Sequence, residues 1–235
     1  MMSHYVINLD RDTQRWNNCE IQAQKFGLEL TRVSAISVAD LRQNIETFVT
    51  SGVRAVWLSH MKCFELFLST NASHALILED DFQIRDSKKL HFYLQSQSIL
   101  AHDLVQFGFL IPGPDIAIRV KVANLETALF RLMAKLGNLP IFKNATFKDR
   151  LRVKEAREIP QGFTADDFQP GAHCYLISRR LASSVLKLNS PQFLCIDDFF
   201  TALSQMRTFR SIRIKKSIVN QAPFPKWSGE RFLQV

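Results

Sequence analysis

Three consecutive carboxylates, Glu79, Asp80 and Asp81, follow directly on the apolar run Ala75-Leu76-Ile77-Leu78. Adjacent negative charges repel one another, and at the mouth of a buried strand they destabilise a fold unless something positive neutralises them. A hard divalent cation, Mn²⁺ or Mg²⁺, suits such oxygen ligands, cancels the repulsion and keeps part of its shell for waters and substrate phosphates. The plainer alternative is that one or two of the three cap the next helix or pair with Arg85. Their place immediately after four aliphatic residues favours the metal reading.

A second acidic pair, Asp197-Asp198, stands just before "FFTALSQM". A carboxylate is favoured there as a helix cap, which accounts for one of the two. The other is a candidate general base, provided the fold brings it within a water's reach of the metal centre. Asp10, Arg11 and Arg15 follow the first apolar stretch, where cations and free N–H groups at a helix start can hold an anion such as phosphate. For Arg15 alone a solvated face is the competing reading. His60 competes in the same way with a polar surface position in the first turn of its helix.

These residues need elements to hold them. "YVINL" (5–9) reads as a buried strand that breaks at Asp10-Arg11-Asp12-Thr13 into a helix over 14–26, stopped by Gly27. "LELTRVSAI" supplies a second strand. A helix is expected to open near Leu58-Ser59-His60, with Ser59 as its cap, and to lead into the strand "HALILEDD". That alternation is the order of a doubly wound parallel sheet, whose ligands sit beyond the carboxyl ends of the strands. Further strands are expected at "DLVQFGFLI" (103–111) and "GAHCYLIS", the latter followed by a helix, and "CIDDFFTALSQM" gives one more helix. Between Pro112 and Pro160 ten basic residues stand against five acidic ones, around the amphipathic helix "NLETALFRLMAKLGN".

Composition narrows the function classes. At 235 residues the chain suits a single domain, with the basic stretch at about 112–160 as an insertion. No apolar run approaches the roughly 20 residues of a membrane-spanning helix, and the N-terminus lacks the pattern of a leader, so a cytoplasmic protein is expected. Cys19, Cys63, Cys174 and Cys195 are scattered without metal or disulfide spacing. A net charge of +8 suits an acidic partner. Absence of G-x-S-x-G, G-x-x-x-x-G-K-[ST] and G-x-G-x-x-G argues against α/β-hydrolases, P-loop NTPases and dinucleotide enzymes. No pattern supports sequence-specific nucleic-acid binding.

"YVINLDRDTQR", "LSH", "ALILEDDF", "GAHCYLIS" and "IDDFF", in that order, resemble glycosyltransferase family 25 over most of the chain. The resemblance implies a GT-A type α/β fold, a Rossmann-like three-layer sandwich with a mostly parallel central sheet. It also implies a nucleotide-sugar donor, commonly UDP-galactose, and transfer with inversion at the anomeric carbon. On it, Glu79, Asp80 and Asp81 stand where such folds bind Mn²⁺ or Mg²⁺ and the donor diphosphate, with Glu79 and Asp81 as metal ligands. Asn8, Leu9, Asp10, Arg11 and Arg15 stand at the donor nucleotide loop, Ser59-His60 match the family's Ser-His pair, and Asp198 or Asp197 falls at the base. Many such folds carry a late metal-binding histidine; this chain has none after His173, so Asn220, Gln221 or a water is expected in that place.

The leading reading is a metal-dependent inverting galactosyltransferase acting on a bacterial lipooligosaccharide, lipopolysaccharide or related glycan at the inner membrane face. The basic segment would there touch anionic lipid or a phosphorylated acceptor. Its rivals are a metal-dependent nucleotidyltransferase or phosphodiesterase, with Asp197-Asp198 at a second metal, and a non-catalytic basic protein that binds anionic glycan.

Overall fold

The computed structural model describes residues 2–41, 49–110, 159–165, 168–169, 171–187, 195–204 and 209–221. Nearly all of the basic segment, with the amphipathic helix expected inside it, lies outside these residues.

Strand β1 (Met2–Asn8) leads into helix α1 (Thr13–Phe26), then β2 (Thr31–Ser34), α2 (Ser51–Leu68), β3 (His74–Glu79) and the short β4 (Phe82–Ile84). Next come α3 (Ser87–Gln95), α4 (Gln97–Leu100), β5 (Leu104–Gly108), β6 (Phe163–Thr164) and β7 (Cys174–Ser178). Helices α5 (Arg179–Leu186) and α6 (Ile196–Ser204) and strands β8 (Ser211–Ile214) and β9 (Val219–Gln221) complete the described chain.

One sheet runs in the order β2-β1-β3-β7-β5-β8-β6. Strands β2, β1, β3, β5 and β8 point one way, and β7 and β6 run against them. The sheet is thus mostly parallel, as expected, with β7 lying antiparallel between β3 and β5. Side-chain alternation explains the layering, because successive strand residues face opposite sides. Tyr5, Ile7, Ala75, Ile77, Tyr175 and Ile177 pack beneath α2, α5 and α6. Val6, Leu76, Leu78, Cys174 and Leu176 pack beneath α1 and α3. Helices on both faces give the three-layer α/β/α sandwich.

Two boundaries matter for the site. Gly27 ends α1 in the left-handed region (φ 61°), donating to Ala23 O and Gln24 O, as the stop signal required. Helix α2, in contrast, begins two turns earlier than expected, at Ser51, with Thr50 Oγ1 accepting from Val53 N at 3.4 Å. Ser59 is therefore no cap. Ala55, Ser59, His60, Cys63, Phe64 and Phe67 recur at helical spacing and form the helix's buried stripe.

Candidate active site

The carboxyl ends of β1 and β3 lie side by side, in register from Met2 opposite His74 to Ile7 opposite Glu79. The start of β7 closes the other flank of β3, with Glu79 N donating to His173 O at 3.1 Å. His173 reaches further, its Nε2 3.0 Å from Val219 O, and this needs Gly108: a Cβ there would stand 2.6 Å from that nitrogen. Strand β4 then leaves the main sheet and pairs with β9, so Gln221 faces Phe82 and Asn220 faces Gln83. Of the late polar residues expected near the acidic trio, Gln221 thus lies opposite the residue next to Asp81, and Asn220 opposite the one after it.

The three carboxylates part company because alternate residues face opposite sides. Asp80 faces α1, where Arg15 Nη1 donates to its Oδ1 at 2.5 Å and Asn8 Nδ2 to its Oδ2 at 2.7 Å. The positive partner of Asp80 is therefore Arg15, and Asp80 is fixed from within the protein. Burial still outweighs these bonds and leaves its pKa raised. Glu79 faces the α2 side, with Oε1 3.5 Å from His60 Nε2. Burial first, then the charge of Asp80, holds Glu79 above the usual carboxylate range. Asp81 is raised by burial and by Glu79, and its buried Oδ1 has no hydrogen-bond partner.

His60 is fully buried, which removes the surface reading. Burial lowers its pKa to about 4, so the ring is neutral at physiological pH. Its Nδ1 lies 2.7 Å from Tyr175 Oη, and burial raises Tyr175 well above the usual tyrosine value. A phenol that keeps its proton donates to Nδ1, leaving the imidazole proton on Nε2, toward Glu79. At 3.5 Å that nitrogen makes no hydrogen bond. Two buried polar atoms, His60 Nε2 and Asp81 Oδ1, thus remain unsatisfied around one pair of carboxylates. Native interiors rarely leave such groups without a reason.

Asp197, in the first turn of α6, joins this group: its charge acts on both His60 and Glu79. Burial, Glu79 and Asp198 lift it to about 7, against backbone N–H groups of Gly171 and Ala172. Asp198 accepts from Cys195 Sγ at 2.9 Å at the helix start. Ser59 is buried, its Oγ donating to Ala55 O at 2.7 Å and accepting from Ile36 N at 2.8 Å, so it ties α2 to the chain after β2.

The loop after β1 is organised by Asn8. Its Oδ1 accepts from Arg32 Nε at 2.9 Å and Nη2 at 2.6 Å, and its amide nitrogen also reaches Asp12 O at 3.2 Å. Arg32 stands 3.7 Å from Asp10 and lies over the Trp16 ring. Asp10 also accepts from Ser34 Oγ at 2.5 Å. Leu9 is half-buried and its carbonyl accepts from Asp12 N at 2.9 Å, while Arg11 is exposed at the tip. Sequence reasoning missed Arg32 and Tyr175. A cation inside the strand "TRVS", next to the Asn-Leu-Asp-Arg loop, was the available signal for the first. For Tyr175 there was no signal in an apolar strand.

No cluster of three His, Cys, Asp or Glu side chains among the described residues is arranged to hold a metal ion. Glu79 and Asp81 alone fit one: two carboxylates with raised pKa values, one carrying an orphaned buried oxygen, in the hard-oxygen chemistry of Mn²⁺ or Mg²⁺.

The family model described as "Glycosyltransferase family 25 (LPS biosynthesis protein)" matches residues 1–200. The chain belongs to glycosyltransferase family 25. Among solved structures, this family 25 chain is similar to a glycosyltransferase involved in glycosylation of the major capsid of PBCV-1. The identity is 8%, over 95% of this chain and 93% of that one, at a TM-score of 0.43. It is also similar to the protein A197 from STIV, at 12% identity over 93% of this chain and 82% of that one, with a TM-score of 0.39. Likenesses this distant carry no weight beyond the family match. No curated protein matches the chain. Among the described residues no helix is long and apolar enough to cross a membrane.

Proposed function

We propose that this family 25 glycosyltransferase moves galactose from UDP-galactose onto a lipooligosaccharide, lipopolysaccharide or related glycan, with metal dependence and inversion. One observation carries the reading: where β3 ends, Glu79 lies 3.5 Å from the neutral His60 and raises the pKa values of both Asp81 and Asp197. Glu79 and Asp81 would hold a divalent cation, whose Lewis acidity stabilises the diphosphate leaving group. His60 Nε2–H faces Glu79 across 3.5 Å and is free to donate to a bound substrate oxygen, and the Asn8–Asp12 loop with Arg32 receives the nucleotide.

Asp197 acts as the base. With its pKa near 7 it is part-ionised at neutral pH and able to take a proton. The acceptor hydroxyl gives that proton to Asp197 as its oxygen attacks the anomeric carbon. The bond from that carbon to the diphosphate oxygen breaks with its electron pair, and UDP leaves from the opposite face. Screening UDP-sugars for UDP release with and without Mn²⁺, before any acceptor is known, tests the reading. Mn²⁺-dependent release from UDP-galactose supports it; pyrophosphate release from a nucleoside triphosphate would favour a nucleotidyltransferase.

A further inference from the structure

The ribbon of β4 and β9 has two ends. Phe82 and Gln221 form the end beside Asp81; Arg85 and Ile218 leave the other end and enter the wall of a cavity of about 750 Å³. At about 3.3 Å per strand residue the two ends lie roughly 10 Å apart. The cavity is bounded by α3 on one side and the turn from β8 to β9 on the other.

Its charge is one-sided. Arg85, Lys89, Lys215 and Lys216 line it against one carboxylate, Asp86. Asp86 is already engaged, accepting from Lys89 N at 3.0 Å and standing 3.1 Å from Lys89 Nζ. The other three cations have no ion-pair partner among the described residues. Like charges around one concavity repel each other and focus a positive potential into it, which an anion relieves. Phe92, also in the wall, is 68% exposed, an unusual degree for so large an apolar ring. It offers an apolar face of the kind a sugar ring's C–H surface covers. A concavity of this volume is in the range that encloses a small ligand, whereas a flat bilayer would not enter it.

We propose that this cavity binds an anionic, phosphate-bearing oligosaccharide and so anchors the acceptor about 10 Å from the carboxylates. Its role as acceptor site rests on the sugar-transfer reading above; its affinity for an anionic saccharide does not.

The test is calorimetric titration of the full chain with pentamannose phosphate, uncharged mannopentaose, inorganic phosphate and phosphatidylglycerol vesicles. The phosphorylated saccharide should bind about tenfold or more tighter than either mannopentaose or phosphate. It should also lose about tenfold in affinity in Lys215→Ala/Lys216→Ala, and its binding should weaken with salt. Phe92→Ala should weaken the saccharides and leave inorganic phosphate unchanged. UDP-sugar turnover to water should be unaltered in both variants. Equal affinity for inorganic phosphate, an unaffected lysine variant, or vesicle binding without saccharide binding would each overturn the site. If no UDP-sugar is turned over but the saccharide result holds, the transfer reading falls and this site stands.

Discussion

Tyr175 Oη lies 2.7 Å from His60 Nδ1 with both side chains shut away from solvent, so a residue of β7 sets the ring that faces Glu79. Tyr175→Phe keeps the ring and removes that bond. Turnover of UDP-sugar should fall about tenfold, and stability by about 1 kcal/mol, as expected for one unsatisfied buried acceptor. Urea denaturation and a UDP-release assay check the two separately. Lower stability with full turnover would reduce His60 to a core residue.

The pairing of Arg15 with Asp80 joins α1 to the end of β3. Arg15→Ala leaves a largely buried carboxylate without its cation and should destabilise the protein by about 2–3 kcal/mol. In an Asp80→Asn background the same substitution should cost about 1 kcal/mol or more less. A double-mutant cycle by denaturant unfolding measures this, and additive effects would dissolve the link.

Asp197 and Asp198 separate by pH. A base must be ionised, so kcat/KM should rise as pH increases through about 7, the value to which burial and Glu79 lift Asp197, and then level off. Asp197→Asn should lower turnover by about 100-fold or more and remove that rise. Asp198→Asn, at a carboxylate bonded to Cys195, should keep the rise and move it to lower pH, because one of the charges that lift Asp197 is gone. A pH–rate series on the three proteins decides between the two aspartates.

Much of this arrangement was legible in the sequence, and what was not has physical causes. The strands at Tyr5-Val6-Ile7 and Ala75 to Leu78, the helix stop at Gly27 and the carboxylates at a strand's exit followed from local pattern. The reversed direction of β7 did not, because five buried residues in a row look the same in a parallel or antiparallel strand. Ser59 misled because a serine ahead of an apolar run resembles a cap, although the stripe through Ala55 already extended the helix. The division of labour among Glu79, Asp80 and Asp81 depends on Arg15, which lies 65 residues from Asp80 in sequence and close to it only after folding.

Buried carboxylates need not be strained. Burial pushes Asp103 up too, but bonds from Arg180, Arg210 N and Ser178 hold its pKa below the usual value. Asp81 has less help, the charge of Arg15 and one backbone N–H, and burial with Glu79 leaves its folded carboxyl raised. Ionising it therefore costs stability that is absent below the unfolded-state pKa and grows as pH rises. In chelator, Asp81→Asn should be more stable than the parent at pH 8, by about 1 kcal/mol, and equal to it at pH 4. Thermal unfolding at the two pH values checks the sign, and a parent that is the more stable at pH 8 would contradict it.

Mn²⁺ binding measured with and without UDP tests most directly the cation proposed to be shared by Glu79, Asp81 and a sugar-nucleotide diphosphate. Titration followed by electron paramagnetic resonance should show Mn²⁺ bound weakly alone and about tenfold or more tighter with UDP, by the reciprocity of linked binding. Asp81→Ala should abolish that gain in a protein that remains folded. Mn²⁺ binding that UDP leaves unchanged, or a gain that survives Asp81→Ala, would contradict the account.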